Sequence, residues 1–137
     1  MLRSYSMAII FKAIAPDGIK YEGEVESLNI KSTTGYITIL PHHFPLLTGV
    51  TPSICHFYVD DKEIKAYVGD GVLHVSENEI ELIVSAFNLK KDIDIERAKK
   101  ALARAKKYLE SDDPSIDKKR AQKALIRAEA RIALWEE

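Results

Sequence analysis

The chain has 137 residues, 46% of them hydrophobic and 30% charged, with 20 Lys+Arg against 21 Asp+Glu and a formal net charge of −1. That length supports one ordinary domain, or a small domain with an appendage, and the composition excludes a disordered chain. No apolar run approaches the ~20 residues of a membrane-spanning helix, and near-neutrality argues against a dedicated nucleic-acid binder, which is usually strongly basic.

The neutral total is a cancellation. Residues 1–90 carry seven basic and eleven acidic side chains, all six glycines and nine of the eleven aromatics. Residues 91–137 carry thirteen basic and ten acidic side chains and nine alanines. Two domains are therefore expected, 1–90 and 91–137. The first six residues are too short and too polar for a secretory signal and are expected as an extension ahead of a strand opened by Met7. Nothing in the sequence directs the chain away from the cytoplasm. Cys55 is alone and set among strand-like residues, so a buried, inert thiol in a reducing compartment is expected.

From Met7 to Phe87 the pattern is β. Residues 8–15 form a short apolar run ended by the turn sequence Pro16-Asp17-Gly18. Tyr21, Gly23 and Val25 then alternate with Glu22, Glu24 and Glu26, the period-2 signature of a strand with one wet face. Further strands are predicted at 35–40, 53–59, 63–68, 71–75 and 79–85, with reversals at Asp60-Asp61 and Ser76-Glu77-Asn78. Many short strands with close turns imply an N-terminal antiparallel β-sandwich or flattened barrel.

After Lys91 the period becomes helical. Ala98, Ala101/Leu102, Ala105 and Tyr108/Leu109 share one stripe; Ala121, Ala124/Leu125, Ala128, Ile132 and Trp135 share another. Asp94 is the expected N-cap of the first helix and Ser115 of the second, with Ser111-Asp-Asp-Pro114 between them. So short a link makes a C-terminal antiparallel two-helix hairpin. Its inner faces are rich in alanine, and a buried methyl yields only about 0.8 kcal/mol, against about 1.5–3 for a Leu or Ile side chain. The hairpin is therefore expected to be marginally held.

No nucleophile, base and orienter assemble into a catalytic set, and the chain is expected not to be an enzyme in its own right. Four histidines with a single cysteine lack zinc spacing. Gly69-Asp-Gly71 is followed by His74 where a dinucleotide fingerprint has its third glycine, and no helix follows. The informative cluster is basic. Arg97 and Arg104 lie seven apart on the first helix, as do Arg120 and Arg127 on the second, with Arg131 one turn further on. From charge alone these faces are either solvated or a site for a polyphosphate, an acidic protein or nucleic acid.

Several segments together resemble the epsilon-subunit family of bacterial F-type ATP synthases. Gly35-Tyr-Ile-Thr-Ile-Leu-Pro-His-His-Phe-Pro45 is similar to the family's Gly…Ile-Leu-Pro-x-His-x-Pro stretch, with Pro41, His43 and Pro45 at matching places. Gly71-Val-Leu-His-Val75 resembles its Gly-Phe-Leu-Glu-Val strand, and Asp92-Ile-Asp94 before Arg97-Ala98 resembles the lead-in to its helical hairpin. The resemblance implies a non-catalytic central-stalk subunit that couples proton transport to ATP synthesis. Its sandwich would dock on the gamma subunit and the c-subunit ring through residues such as Pro41, His43 and Pro45. It would lie at the cytoplasmic face of the plasma membrane, reaching the membrane only through its partners, and would not bind nucleic acid. The hairpin would be folded in an active enzyme. Extended, it would inhibit hydrolysis by bringing Lys118, Lys119, Arg120, Lys123, Arg127 and Arg131 to acidic loops of the catalytic beta subunits. No cofactor is required, but family members with an Ile/Leu-Asp-x-x-Arg-Ala motif bind ATP as a regulatory ligand. Ile93-Asp94-Ile-Glu-Arg97-Ala98 matches that motif in full, and Arg104, Arg127 and Arg131 fall on the remaining arginine positions. There are two departures: Asn88 stands where nucleotide-binding members have a glutamate, and Asp70 replaces the first glycine of a Gly-Gly pair. The alternative from another class is a free-standing β-sandwich adaptor whose basic hairpin binds an acidic protein or nucleic acid.

Overall fold

A computed structural model describes residues 8–137; Met7 and the expected extension at 1–6 lie outside the described residues. Ten strands precede two helices: β1 (Ile9–Ala15), β2 (Gly18–Val25), β3 (Ser27–Ser32), β4 (Gly35–Ile39), β5 (Leu46–Val50), β6 (Ser53–Val59), β7 (Lys62–Val68), β8 (Gly71–Val75), β9 (Glu79–Val84) and β10 (Phe87–Leu89), then α1 (Ile95–Glu110) and α2 (Lys118–Glu136). A single 3-10 turn at Lys90–Asp92 joins the two parts. The strands form one hydrogen-bonded path, β10-β7-β6-β3-β5-β8-β9-β1-β2, with β4 paired to β3, and it folds over on itself as a sandwich. No helix among the described residues is long and apolar enough to cross a membrane.

The sandwich-then-hairpin order is the expected one, with corrections of detail. The pairing of β1 with β9 is parallel, not antiparallel (Phe11 opposite Ile80, Ala13 opposite Leu82). Strands β3, β5 and β10 carry no strong β signal: β3 mixes Asn29 and two serines into its alternation, β5 contains Gly49, and β10 is three residues long. Weak intrinsic preference is overridden there by pairing with neighbours and by burial of Leu28, Ile30, Val50 and Phe87.

The turns follow from residue chemistry. Val59 pairs with Lys62, so Asp60-Asp61 form a two-residue loop, and both adopt positive φ (51° and 64°) as a hairpin of matching twist requires. Gly18 sits at φ 125°, a conformation that side chains disfavour, and starts β2 directly after the Pro16-Asp17 turn. Inside, Phe11 packs its ring 5.3 Å from Phe57 and 6.2 Å from Phe87, and Tyr21 lies 4.9 Å from Phe57. These edge-on and tilted contacts, with Leu28, Ile30, Leu73, Ile80 and Leu82, fill the space between the layers.

The hairpin is seated on the outer side of β6 and β7. On β7, Ala66, Tyr67 and Val68 are buried in succession, although only Ala66 and Val68 belong to the core between the layers. A strand with one wet face cannot produce that run; α2 covers the outer face, where Tyr67 points. The helix starts are capped by Asp94 and Asp117, whose carboxylates accept the backbone N–H of Arg97 and Arg120 at 3.1 Å each. The expected cap at Ser115 is thus corrected: its N–H and hydroxyl instead donate to Asp113 in the turn, and Asp117 lies three residues before the N–H that needs an acceptor.

Candidate functional site

A cleft of about 540 Å³ opens between the two helices and the end of the sandwich. Its walls are built by spacing. Ala98 and Ala105 are seven apart on α1 and face Ala124 and Ala128 of α2, and these methyls let the helices approach closely while leaving a shallow floor. Arg97 and Arg104 flank the alanine stripe on one side, Arg127 and Arg131 on the other. Strand β10 supplies Asn88, and the strand-to-helix link supplies Asp92, Ile93 and Asp94.

All seven residues singled out as nucleotide ligands (Ile93, Asp94, Arg97, Ala98, Arg104, Arg127 and Arg131) therefore line one cleft. Asp94 Oδ1 accepts the Arg97 backbone N–H, and no carboxylate among the described residues forms an ion pair with the Arg97 guanidinium. Arg131 is half-buried. Its Nε donates to Asn88 Oδ1 at 3.3 Å, and its guanidinium carbon lies 4.2 Å from the centre of the Tyr67 ring. Burial pushes its pKa down, with Arg127 and Arg97 adding to that and the Tyr67 oxygen opposing it. Even lowered, a guanidinium stays charged at neutral pH. Four arginines and Lys100 around one hollow, with the cleft's carboxylates confined to the link, suit a polyanion with an apolar or aromatic end.

Other expected site residues lie elsewhere. Arg120 is exposed on α2 and does not line the cleft, so the second helix contributes Arg127 and Arg131 alone of its three arginines. Lys119 and Lys123 are exposed with it. Lys118 acts locally, because its ammonium donates to the carbonyl oxygens of Tyr108 (3.0 Å), Leu109 (2.8 Å) and Ser111 and so closes the C-terminal end of α1. Those carbonyls carry the negative end of the helix dipole. Pro41, His43 and Pro45 lie in the β4–β5 loop, where His43 Nδ1 pairs with the Phe44 carbonyl at 2.7 Å and Phe44 itself is 85% exposed. Two features of the site have no distinctive signal in the sequence. One is Lys100, one turn from Arg97 and Arg104; the other is Tyr67, whose alternation on β7 marks it as outward-facing without saying what covers it.

Two family models cover almost all of the described chain. Residues 8–90 match the ATP synthase Delta/Epsilon chain beta-sandwich domain, and residues 91–136 the ATP synthase Delta/Epsilon chain long alpha-helix domain. The chain belongs to the epsilon-subunit family of F-type ATP synthase. Among its relatives, the ATP synthase epsilon chain of Clostridium kluyveri is 39% identical over 122 residues, covering 88% of this chain and 92% of that one. That of Gloeobacter violaceus is 33% identical over 126 residues, covering 92% and 96%. Of solved structures, the fold resembles a chain of the Euglena gracilis mitochondrial ATP synthase OSCP/F1/c-ring assembly, with TM-score 0.78 and 20% identity, over 90% of this chain and 79% of that one. A Tetrahymena thermophila mitochondrial ATP synthase central stalk/c-ring chain matches at TM-score 0.56 and 13% identity, over 93% of each. A β-sandwich followed by a helical part is thus the order of the family's two domains as well as of this chain.

Proposed function

We propose that this epsilon subunit is a non-catalytic part of the central stalk, which couples proton transport to ATP synthesis and regulates ATP hydrolysis through the position of its helical hairpin. In this reading ATP is the ligand of the cleft. The observation that carries it is the gathering of Arg97, Arg104, Arg127 and Arg131 around a hollow of about 540 Å³, within the usual range for a small-molecule site. The guanidinium forks hold phosphate oxygens, which they match in geometry and charge. Ile93 offers apolar surface and Asp94 an ordered carboxylate to the base, at the edge of the alanine floor. A ligand that bridges α1, α2 and the link binds the seated hairpin and not the released one, and so stabilises the seated form by mass action.

The same reading has the sandwich meet the gamma subunit and the c-subunit ring, with Pro41, His43 and Pro45 at a contact and membrane association only through those partners. It also has the exposed Lys119, Arg120 and Lys123, with Lys118 released from the α1 carbonyls, meet acidic loops of the beta subunits when the hairpin extends. The names of the relatives and of the matched assemblies, ATP synthase epsilon chain and central stalk/c-ring, support the stalk position.

Calorimetry tests the ligand. The full chain is expected to give a heat of ATP binding that Arg127→Ala reduces at least tenfold in affinity, about 1.4 kcal/mol and within the range for one charge-assisted contact. No heat at millimolar ATP overturns the nucleotide role. Co-purification tests the assembly: failure to associate with gamma and the c ring overturns the stalk role, and steeply salt-dependent DNA binding would favour a free-standing adaptor.

A further inference from the structure

One side chain is shared between the cleft and the seat of the hairpin. Arg131 lines the cleft, yet its hydrogen bond and its ring contact are both to the sandwich. Asn88 on β10 accepts its Nε–H, and Tyr67 on β7 lies beneath its guanidinium. Tyr67 and Asn88 face each other across the β7–β10 ladder, so one cross-strand pair grips the arginine. Tyr67 is completely buried, and its hydroxyl has no hydrogen-bond partner among the described residues. The hydroxyl therefore makes no hydrogen bond to hold the arginine, whereas the ring gives a π face. A guanidinium is planar and weakly hydrated, so it stacks on such a face while keeping its charge. Neither Asn88 nor Tyr67 neutralises that charge. Besides the Tyr67 oxygen, the groups that act electrostatically on Arg131 are Arg127 and Arg97, both cations of the same cleft.

We propose that Tyr67 is the positioning residue of the cleft: its ring, with Asn88, fixes Arg131 in place before a ligand arrives and thereby sets the affinity for the polyphosphate. The inference rests on the nucleotide reading above. Ordering a long, rotamer-rich side chain disfavours binding when it happens at the moment of binding. Here the ordering is complete once the hairpin is seated. The same contact makes the affinity depend on the seated hairpin, because the platform belongs to the sandwich and the arginine to α2.

The test combines NMR without ligand and calorimetry with ATP, on the full chain and on Tyr67→Leu, Tyr67→Phe and Asn88→Ala, each with and without Arg131→Ala. In the free chain the Arg131 Nε–H resonance is expected to be displaced by the ring current, to move to the position of a solvated arginine in Tyr67→Leu, and to be restored in Tyr67→Phe. ATP affinity is expected to fall about tenfold in Tyr67→Leu, in line with loss of a desolvated cation–π contact. Tyr67→Phe should restore it to within about twofold, and Asn88→Ala should show a smaller loss. Arg131→Ala should cost much less in the Tyr67→Leu background than alone, because the two act through one contact. Additive losses, or Tyr67→Phe as weak as Tyr67→Leu, overturn the role of the ring. Should Tyr67→Leu release the hairpin altogether, Asn88→Ala still reads the grip, and additivity with Arg131→Ala there overturns it. A displaced Arg131 resonance with no ATP heat overturns the nucleotide reading while supporting the ring contact. An undisplaced resonance overturns the role of Tyr67 whatever ATP does.

Discussion

Cys55 lies midway along β6, paired with Ala66 and fully buried. Desolvation pushes its thiol up to about 12, so almost no thiolate exists at neutral pH. It is expected to resist a thiol reagent in the native chain and to react stoichiometrically in denaturant; rapid native labelling would show that the β6–β7 pairing opens. Tyr67 is likewise buried, and desolvation raises its pKa above the ordinary value near 10, with Arg131 and Arg127 opposing that rise. A pKa raised on folding means that the neutral form is favoured in the native state. The corresponding stability is complete below pH about 10 and is lost as pH rises through the folded value. The hairpin is therefore expected to lose its seat on β7 at strongly alkaline pH, and Tyr67→Phe to remove part of that loss, as read from helix amide exchange against pH. The alternation of β7 in the sequence shows that Tyr67 faces out. It cannot show that a guanidinium from a segment 64 residues further on covers it, because nothing local encodes that contact.

The helix caps separate what local chemistry can and cannot say. Asp94 precedes Arg97 by three, and Asp117 precedes Arg120 by three; both spacings are visible in the chain. Ser115 is an equally good capping residue by type, and the choice between it and Asp117 depends on where the turn after Pro114 delivers the backbone. In the structure Asp113 captures the Ser115 N–H and hydroxyl, which moves the helix start two residues on. Asp117→Ala is expected to destabilise α2 by about 1 kcal/mol, and Ser115→Ala by less than half of that. Equal losses by thermal melting would restore Ser115 to the cap. Among the strands, Gly71 has a distinct requirement. A Cβ there would lie 2.0 Å from the Ile83 carbonyl oxygen and 2.7 Å from the Val84 Cα, both backbone atoms of β9. Gly71→Ala is expected to cost about 1–3 kcal/mol through forced separation of β8 and β9, measurable as a lowered denaturation midpoint with unchanged slope.

The seat of the hairpin decides how the two domains behave together. On α1 the buried residues are Ala98 and Ala105, and on α2 Ala121, Ala128 and Leu134. Leu134 is the one large side chain in that set, at 1% exposure. Leu134→Ala is expected to remove about 2–5 kcal/mol, enough to release helices held otherwise by methyls, Arg131 on Tyr67, and Glu137 bound to Lys65 and Lys90. Hydrogen exchange should then show α1 and α2 unprotected while β6, β7 and β9 keep their protection. Joint loss of protection would mean that hairpin and sandwich form one cooperative unit. The division of the chain into an acidic β part and a basic, alanine-rich helical part was legible in the sequence, because period-2 and period-3.6 patterns and turn residues are properties of a few neighbouring side chains. The family resemblance also drew together seven residues that line the cleft, whereas helical spacing alone drew in Arg120, which does not line it. The parallel β1–β9 pairing, the seating of α2 on the outer face of β7 and the grip of Tyr67 and Asn88 on Arg131 were not legible there. Each is a contact between segments far apart in the chain, chosen by how whole surfaces pack, and no local pattern carries that information.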